Sequence, residues 1–284
     1  MSNLPVINAR YRSAIEAHIA GNLVIRNTES PLILGVFGPP GEGKTFQLDY
    51  ICRDLGLHQI IISPGELENE HAGRPAEILR EAYLKAGDTN LRVPSVLVIN
   101  DIDTVLGDWG ELVQYTTNRQ LVYGQLQSFC DFPNLVLDTT VRRTPIIITG
   151  NNPSILYRPL LRPGRMRLVE WVPSFDEKVA IVSGIFPSIS LVTMKGLVSE
   201  YSERSIAFWA DVAATCWEIS VSKWLLRENV RSLRDILADG TQFDFNNSAL
   251  AEDVIRDTAS RLSRSRVADM SYAPGVVRSL MEGA

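Results

Sequence analysis

The feature that most constrains the fold is a glycine-rich motif, Gly38–Thr45, which lies between an apolar run and a helical pattern. Its letters, GPPGEGKT, match G-x-x-x-x-G-K-[ST] in full. In that motif backbone N–H groups point at phosphate oxygens, the lysine reaches the β- and γ-phosphates, and the hydroxyl binds magnesium. The motif also opens a helix, whose positive dipole end attracts phosphate. The sequence thus predicts a site for ATP or ADP with Mg²⁺, and its cofactor-binding residues are Gly38, Pro39, Pro40, Gly41, Glu42, Gly43, Lys44, Thr45 and Phe46.

Apolar runs separated by helical stretches predict an α/β fold, a parallel sheet flanked by helices. The predicted strands are Leu32–Phe37, Gln59–Ser63, Ser95–Ile99, Thr144–Thr149 and Leu168–Val172. A helix is predicted over residues 11–27, and from Asp176 to about Arg266 the pattern is helical throughout. We therefore expect a nucleotide-binding α/β domain at 1–173, with an N-terminal helix in 1–30, and a smaller all-helical lid domain at 174–284.

Polar residues follow the third and fourth strands, where they suit the second half of an ATP site. The pattern resembles that of AAA+ ATPases, in which an apolar strand precedes Asp-Glu-x-Asp, but Asn100, Asp101 and Asp103 take those places here. Asn100 supplies no charge, and Asp101 is one methylene shorter than the usual water-activating glutamate. We predict Thr45, Asn100, Asp101 and Asp103 as magnesium ligands and Asp101 as the catalytic base. Asn151 is expected to be the polar sensor that positions the water or contacts the γ-phosphate.

Arg162 and Arg165 flank a Pro-Gly turn. They resemble the arginine fingers that AAA+ subunits insert into a neighbour's ATP site, where a guanidinium contributes roughly 10³–10⁵ in rate in other NTPases. The alternative is a surface turn with solvated arginines. Because fingers act on a neighbouring subunit, the first interpretation predicts an oligomer.

Composition argues against two other classes of protein. The 284 residues carry a formal charge of −5, whereas a general nucleic-acid binder would be expected to have a basic surface. No run approaches the roughly 18 apolar residues of a membrane span. The cysteines, Cys52, Cys130 and Cys216, lack CxxC spacing and are expected to be reduced thiols of an intracellular protein. Since the N-terminus also lacks a secretory pattern, we expect a cytoplasmic protein.

The motifs together resemble the Rubisco activases, AAA+ ATPases that free inhibited Rubisco of bound sugar phosphates. The resemblance covers roughly residues 30–210, and the Asn-Asp-x-Asp form is itself typical of activases. The segments that carry it include Gly41–Gln47, Gly65–Glu68, Ile99–Asp103, Gln114–Thr116, Pro145–Asn151 and Gly164–Met166.

This resemblance implies a homo-oligomer, expected to be a hexameric ring, that acts on Rubisco and is associated with carboxysomes. Its pore loops are then expected at Gly65–Ala76 and Gly107–Tyr115, with Trp109 and Tyr115 gripping a peptide; for Tyr115, core packing is an equal alternative. The chain departs from the family at Ala213, where activases carry a nucleotide-sensing arginine.

Two other functions stay open. Ala213 and the short acid Asp101 favour a slow or inactive ATPase that serves as a nucleotide-dependent Rubisco-binding scaffold. A generic AAA+ remodeller of another client is the second alternative.

Overall fold

The computed structural model describes residues 5–25, 28–67, 71, 73–103, 113–227 and 250–264. The chain divides into two compact units, one formed by Ile7–Pro173 and one that begins at Ser174 and includes Val6. Val6 lies so close to Gly184 that a Cβ built on this glycine would be 2.5 Å from a Val6 methyl carbon. The first unit thus begins at Ile7, and Val6 groups with the helical unit.

The α/β unit contains a five-stranded parallel sheet in the order β2-β3-β6-β1-β7, which confirms the predicted fold class. Its strands are β1 (Ile33–Phe37), β2 (His58–Ile62), β3 (Ser95–Ile99), β6 (Ile146–Gly150) and β7 (Met166–Glu170). A small antiparallel hairpin, which the sequence pattern did not reveal, consists of β4 (Leu135–Val136) and β5 (Thr139–Thr140).

The prediction for the last strand of the sheet was wrong by two residues at each end. β7 pairs with β1 in the register Ile33↔Met166 to Phe37↔Glu170, so Trp171 lies beyond the strand. The apolar pair Trp171–Val172 suggested a later strand, but the buried Trp171 indole packs against the Tyr11 ring and not within the sheet.

Helices cover both faces of this sheet, as parallel strands with crossover connections require. They are α1 (Ala9–Leu23), α2 (Lys44–Asp54), α3 (Pro64–Leu67), α4 (Arg74–Ala86) and α5 (Val113–Asp131). Two 3₁₀ turns, Pro153–Ile155 and Arg158–Leu161, follow β6. Helix α1 ends at Leu23, four residues before the predicted end.

The core lies around the three inner strands, β1, β3 and β6, in which every residue is buried. Such strands are apolar throughout because helices exclude water from both of their faces. On one face, Tyr83 of α4 stacks on Phe129 of α5 with ring centroids 4.3 Å apart. The polar residues of the candidate site follow the carboxyl ends of these buried strands.

The described part of the second unit is helical: α6 (Phe175–Ile185), α7 (Leu191–Glu200), α8 (Ile206–Arg227) and α9 (Glu252–Arg264). A capping box begins α6, since Ser174 accepts from the backbone N–H of Glu177 and the Glu177 carboxylate accepts from that of Ser174. The core of the unit centres on Trp209, which contacts Phe186 edge-on at 6.4 Å. Ala213 lies one turn further along α8 and packs partly against the same core.

Candidate nucleotide site

The glycine-rich loop connects β1 directly to α2, which begins at Lys44. Gly41 and Gly43 have φ of 76° and 74°, in the left-handed region that side chains disfavour. Gly38 is required for space, because a Cβ at this position would lie 1.9 Å from the Trp171 carbonyl oxygen. These glycines allow the tight backbone path that a phosphate cradle needs.

The Lys44 ammonium is held above the loop by three acceptors. Its Nζ donates to the carbonyl oxygens of Gly38 (2.8 Å) and Pro39 (2.9 Å) and to Asn151 Oδ1 (2.9 Å). Burial lowers the pKa of Lys44, while the nearby carboxylates of Asp101 and Asp103 act in the opposite direction. All three hydrogen-bond acceptors are uncharged, so phosphate oxygens, which make stronger charge-assisted bonds, can displace them. Thr45 is exposed beside the lysine, where its hydroxyl is accessible.

The end of β3 places the predicted acidic residues beside the loop. Asp101 has a φ of 44°, and its backbone N–H donates to Thr149 Oγ1 at 3.1 Å. The same Thr149 hydroxyl donates to Asn100 Oδ1 at 3.4 Å. Thr149 is therefore a support that orients both residues, and sequence reasoning missed it because its partners lie 48 and 49 positions away.

Asp103 and Asn151 are directly linked. Asp103 Oδ2 accepts from the Asn151 backbone N–H at 2.9 Å, and Asp103 Oδ1 is buried with no hydrogen-bond partner among the described residues. A continuous chain of contacts thus runs from Asp103 through Asn151 to Lys44. The structure brings together the loop, the acidic segment and the sensor, although Lys44 and Asn151 lie 107 positions apart in the sequence.

Oxygen donors at this site fit a magnesium ion. Thr45, Asn100, Asp101 and Asp103 offer hydroxyl, amide and carboxylate oxygens, the ligands that this cation prefers. Within the described ranges no cluster of three or more His, Cys, Asp or Glu side chains could hold a metal ion by itself. Asp101 and Asp103 provide two carboxylates, fewer than such a cluster contains. Two are enough for magnesium, because this ion usually keeps waters and takes phosphate oxygens as further ligands.

The two arginines predicted as fingers have different surroundings. Arg162 follows the second 3₁₀ turn and is exposed. Arg165, in contrast, forms a bidentate ion pair with Asp131 at the end of α5, with distances of 3.1 and 2.9 Å. Its Nη1 also donates to the Pro159 carbonyl oxygen at 3.1 Å. Arg165 is engaged within its own chain, whereas Arg162 is exposed.

A second layer of residues holds the loop from behind. The Tyr11 hydroxyl donates to the Lys44 carbonyl oxygen at 2.8 Å, and Trp171 Nε1 donates to that of Glu42 at 2.7 Å. These two rings meet edge-on at 4.9 Å, and the Arg10 guanidinium lies 5.1 Å from the Trp171 ring centroid. This explains the burial of Trp171 beyond the end of β7. No local signal in the sequence indicates these contacts.

The pore-loop predictions fall partly outside the described residues. These residues exclude 104–112, which contain Trp109, and for Tyr115 only the backbone in α5 is described. In the first segment, Asn118 Oδ1 of α5 accepts from the Gly73 backbone N–H at 2.9 Å. Pore-loop roles therefore stay predictions.

All three cysteines are free, and burial raises the pKa of Cys52 and of Cys130 to about 12. Of the helices described, none combines the length and the apolar character needed to cross a membrane.

Comparison with known proteins gives a consistent result. The family described as "ATPase family associated with various cellular activities (AAA)" matches residues 34–174. The ribulose bisphosphate carboxylase/oxygenase activase of Nostoc sp. is 37% identical over 231 residues, which cover 77% of this chain and 56% of the relative. Activase 2 of Nicotiana tabacum is 34% identical over 238 residues, 80% of this chain and 54% of the relative. The chain thus spans about half the length of the curated relatives it matches.

Proposed function

Because this chain is a Rubisco activase-like protein of the AAA family, we propose that it binds ATP with magnesium and hydrolyses it to ADP and phosphate. The observation that carries the proposal is the contact chain from Asp103 through Asn151 to Lys44 at the open face of the glycine-rich loop. Charged, amide and ammonium groups converge there on a cradle of backbone N–H groups. That is the arrangement that phosphoryl transfer needs, since its catalysis is mostly positioning and charge stabilisation.

Each residue then has a defined task. Residues Gly38–Phe46 hold the phosphates, with Lys44 exchanging its carbonyl partners for phosphate oxygens. Thr45, Asn100, Asp101 and Asp103 hold magnesium directly or through water, and the ion neutralises phosphate charge when it is bound. Asp101 accepts a proton from the attacking water, and Asn151 orients that water.

The oligomer is part of the proposal. We assign the transition-state contact in the neighbouring subunit to Arg162, because its side chain is exposed, and a ring, hexameric by analogy with AAA+ proteins, is the assembly in which every site receives such a contact.

Mixing two inactive variants tests this assignment. Lys44→Ala removes a subunit's own site but leaves its Arg162, whereas Arg162→Ala does the reverse. We expect each variant alone to lose ATP turnover and the mixture to recover part of it, because some Arg162→Ala sites then receive a neighbour's intact arginine. The control samples contain one variant only and are taken through the same mixing procedure. If mixed oligomers form, by light scattering, but show no recovered turnover, the contact does not act between subunits.

The client that we propose is Rubisco, and the location is the cytoplasm, in association with carboxysomes. The support is the similarity to activases over most of this chain. The experiment is to incubate inhibited Rubisco with the protein and ATP and to follow the recovery of carboxylation, with Lys44→Ala as the control. Recovery of carboxylation with the wild-type protein but not with Lys44→Ala supports remodelling. Recovery no greater than that of the Lys44→Ala control rejects it.

Ala213 favours a second candidate, a nucleotide-dependent Rubisco-binding scaffold with slow turnover. This side chain is small and apolar where activases carry an arginine, so no cation at this position can respond to the γ-phosphate. Sedimentation of the protein with Rubisco in ATP, without hydrolysis or recovered carboxylation, selects the scaffold. A generic remodeller is selected instead if Rubisco neither binds nor stimulates turnover while another client does.

A further inference from the structure

A polar cleft of about 330 Å³ lies at the end of the α/β unit that faces away from the glycine-rich loop. It is bordered by the end of α1 and by the loops that lead into β1 and β6. Its described lining consists of Asn22, Leu23, Ile25, Thr28, Asn134, Arg142 and Arg143. Its volume lies at the small end of the range of pockets that bind small molecules, roughly 300–1,000 Å³.

The two arginines make this cleft cationic. Arg143 is half-buried; its Nε donates to Asn22 Oδ1 at 2.8 Å and its Nη2 to the Ser30 carbonyl oxygen at 2.7 Å. Among the described residues, the hydrogen-bond acceptors of Arg142 are the Thr89 and Leu91 carbonyl oxygens, both at 3.4 Å. No carboxylate is among the described lining residues, although the chain as a whole is acidic.

Arg143 lacks a compensating charge in the described structure. Burial lowers its pKa, and the groups that act against this are Tyr83 and Cys130, whose own pKa values are raised so that both are neutral at pH 7. A partly desolvated cation is costly unless an anion is nearby. Two of the five guanidinium N–H donors are used in the bonds to Asn22 and Ser30, which leaves others for a ligand.

The cleft is separate from the nucleotide site. Arg143 precedes β6 and Ser30 precedes β1, so the cleft lies at the amino ends of these parallel strands, whereas the glycine-rich loop follows the carboxyl end of β1. A five-residue strand spans about 16 Å. One nucleotide at the loop does not account for both sites.

We propose that this cleft binds a small phosphate-bearing anion, with Arg142 and Arg143 contacting the phosphate and the side chain of Asn134 available to its other polar atoms. Guanidinium groups bind phosphate with paired, charge-assisted hydrogen bonds. A concave cleft of this volume suits a phosphate group with a few carbon atoms, and it is too small to enclose a macromolecule.

Thr28 offers a test that changes charge and little else. Its Oγ1 accepts from the Ser30 backbone N–H at 3.0 Å, a turn contact that Asp and Asn side chains also make. Thr28→Asp therefore places a carboxylate beside the arginines while keeping the turn, and Thr28→Asn is its neutral match. Both variants are made in the full chain with Lys44→Ala, which removes phosphate binding at the loop, and their melting temperatures are compared with the parent.

Calorimetric titration with inorganic phosphate, glycerol 3-phosphate and glycerol tests whether the cleft binds a phosphate-bearing anion. We expect phosphate to bind the Lys44→Ala parent and the Thr28→Asn form within threefold of each other, and Thr28→Asp to bind at least tenfold more weakly. Tighter binding of glycerol 3-phosphate than of phosphate identifies an organic phosphomonoester as the ligand, and equal binding identifies free phosphate. The proposal is overturned if the parent binds no phosphate, if the two Thr28 variants bind equally, or if glycerol binds as well as its phosphate.

Discussion

Replacement of Arg165 tests whether this residue positions the segment that carries Arg162 or itself contacts the neighbouring ATP site. The pair with Asp131 has three features that matter for its strength: two parallel bonds at 3.1 and 2.9 Å, side chains 22% and 44% exposed, and a further bond to a backbone carbonyl. An exposed ion pair contributes about 0–1 kcal/mol, and hydrogen bonds to charged groups about 1.5–3 kcal/mol. Since this pair is intermediate in exposure, we expect Arg165→Gln to lower the free energy of unfolding by about 2 kcal/mol.

Urea unfolding of the nucleotide-free protein, followed by circular dichroism, measures this loss. With a slope of about 2 kcal/mol per molar, the midpoint of the α/β unit moves by about 1 M. Asp131→Asn is expected to cause a similar shift, and the double variant to lose about 1 kcal/mol less than the sum. Arg162→Gln is the matched control, because an exposed substitution of this kind changes stability by less than about 0.5 kcal/mol.

ATP turnover gives the second half of the test. If Arg165 holds the segment that carries Arg162, Asp131→Asn lowers turnover about as much as Arg165→Gln does. If Arg165 itself entered the neighbouring site, removing Asp131 would leave turnover unchanged or raise it. If Arg165→Gln unfolds like the wild type, or if Asp131→Asn is fully active, the Arg165–Asp131 pair does not hold this segment.

Three further substitutions test other contacts. Gly38→Ala should abolish ATP binding in calorimetry, because its Cβ would lie 1.9 Å from the Trp171 carbonyl oxygen; normal affinity would contradict the packing described. Asp103→Asn gives the Asn151 backbone N–H a neutral acceptor, a loss of about 1 kcal/mol, so kcat at saturating magnesium should fall by about fivefold, and an unchanged kcat would remove this positioning role. Burial lowers the pKa of His18 to about 4, compared with about 6.5 in the unfolded chain. The free energy of unfolding that depends on neutral His18 is therefore fully present above pH 6.5 and decreases as the pH drops toward 4. At pH 5 this loss is about 2 kcal/mol, and urea midpoints at pH 7.5 and 5 should show it in the wild type but not in His18→Gln; equal pH dependence would contradict it.

The candidate nucleotide site could be located from the sequence because its parts are local patterns, while the roles of its residues stay predictions. A glycine-rich turn between a buried strand and a helix has few structural interpretations other than a phosphate-binding loop, and Lys44 begins that helix. The order of polar strand ends also follows from chain order, since the carboxyl ends of parallel strands meet at one edge. Asp101 and Asn151 therefore reach this edge, as the pattern indicated.

The strands, the loop and the polar residues at the strand ends could thus be located from the sequence, because each depends on spacing within one segment; the order of the strands in the sheet could not. Only the tertiary structure decided which neighbours those residues meet. Tyr11 and Trp171, 160 positions apart, hold the loop from behind, and Asp131 distinguishes Arg165 from Arg162, although both arginines flank the same turn. The physical reason is that a side chain's charge, exposure and role are set by partners distant in the chain, which no local pattern records.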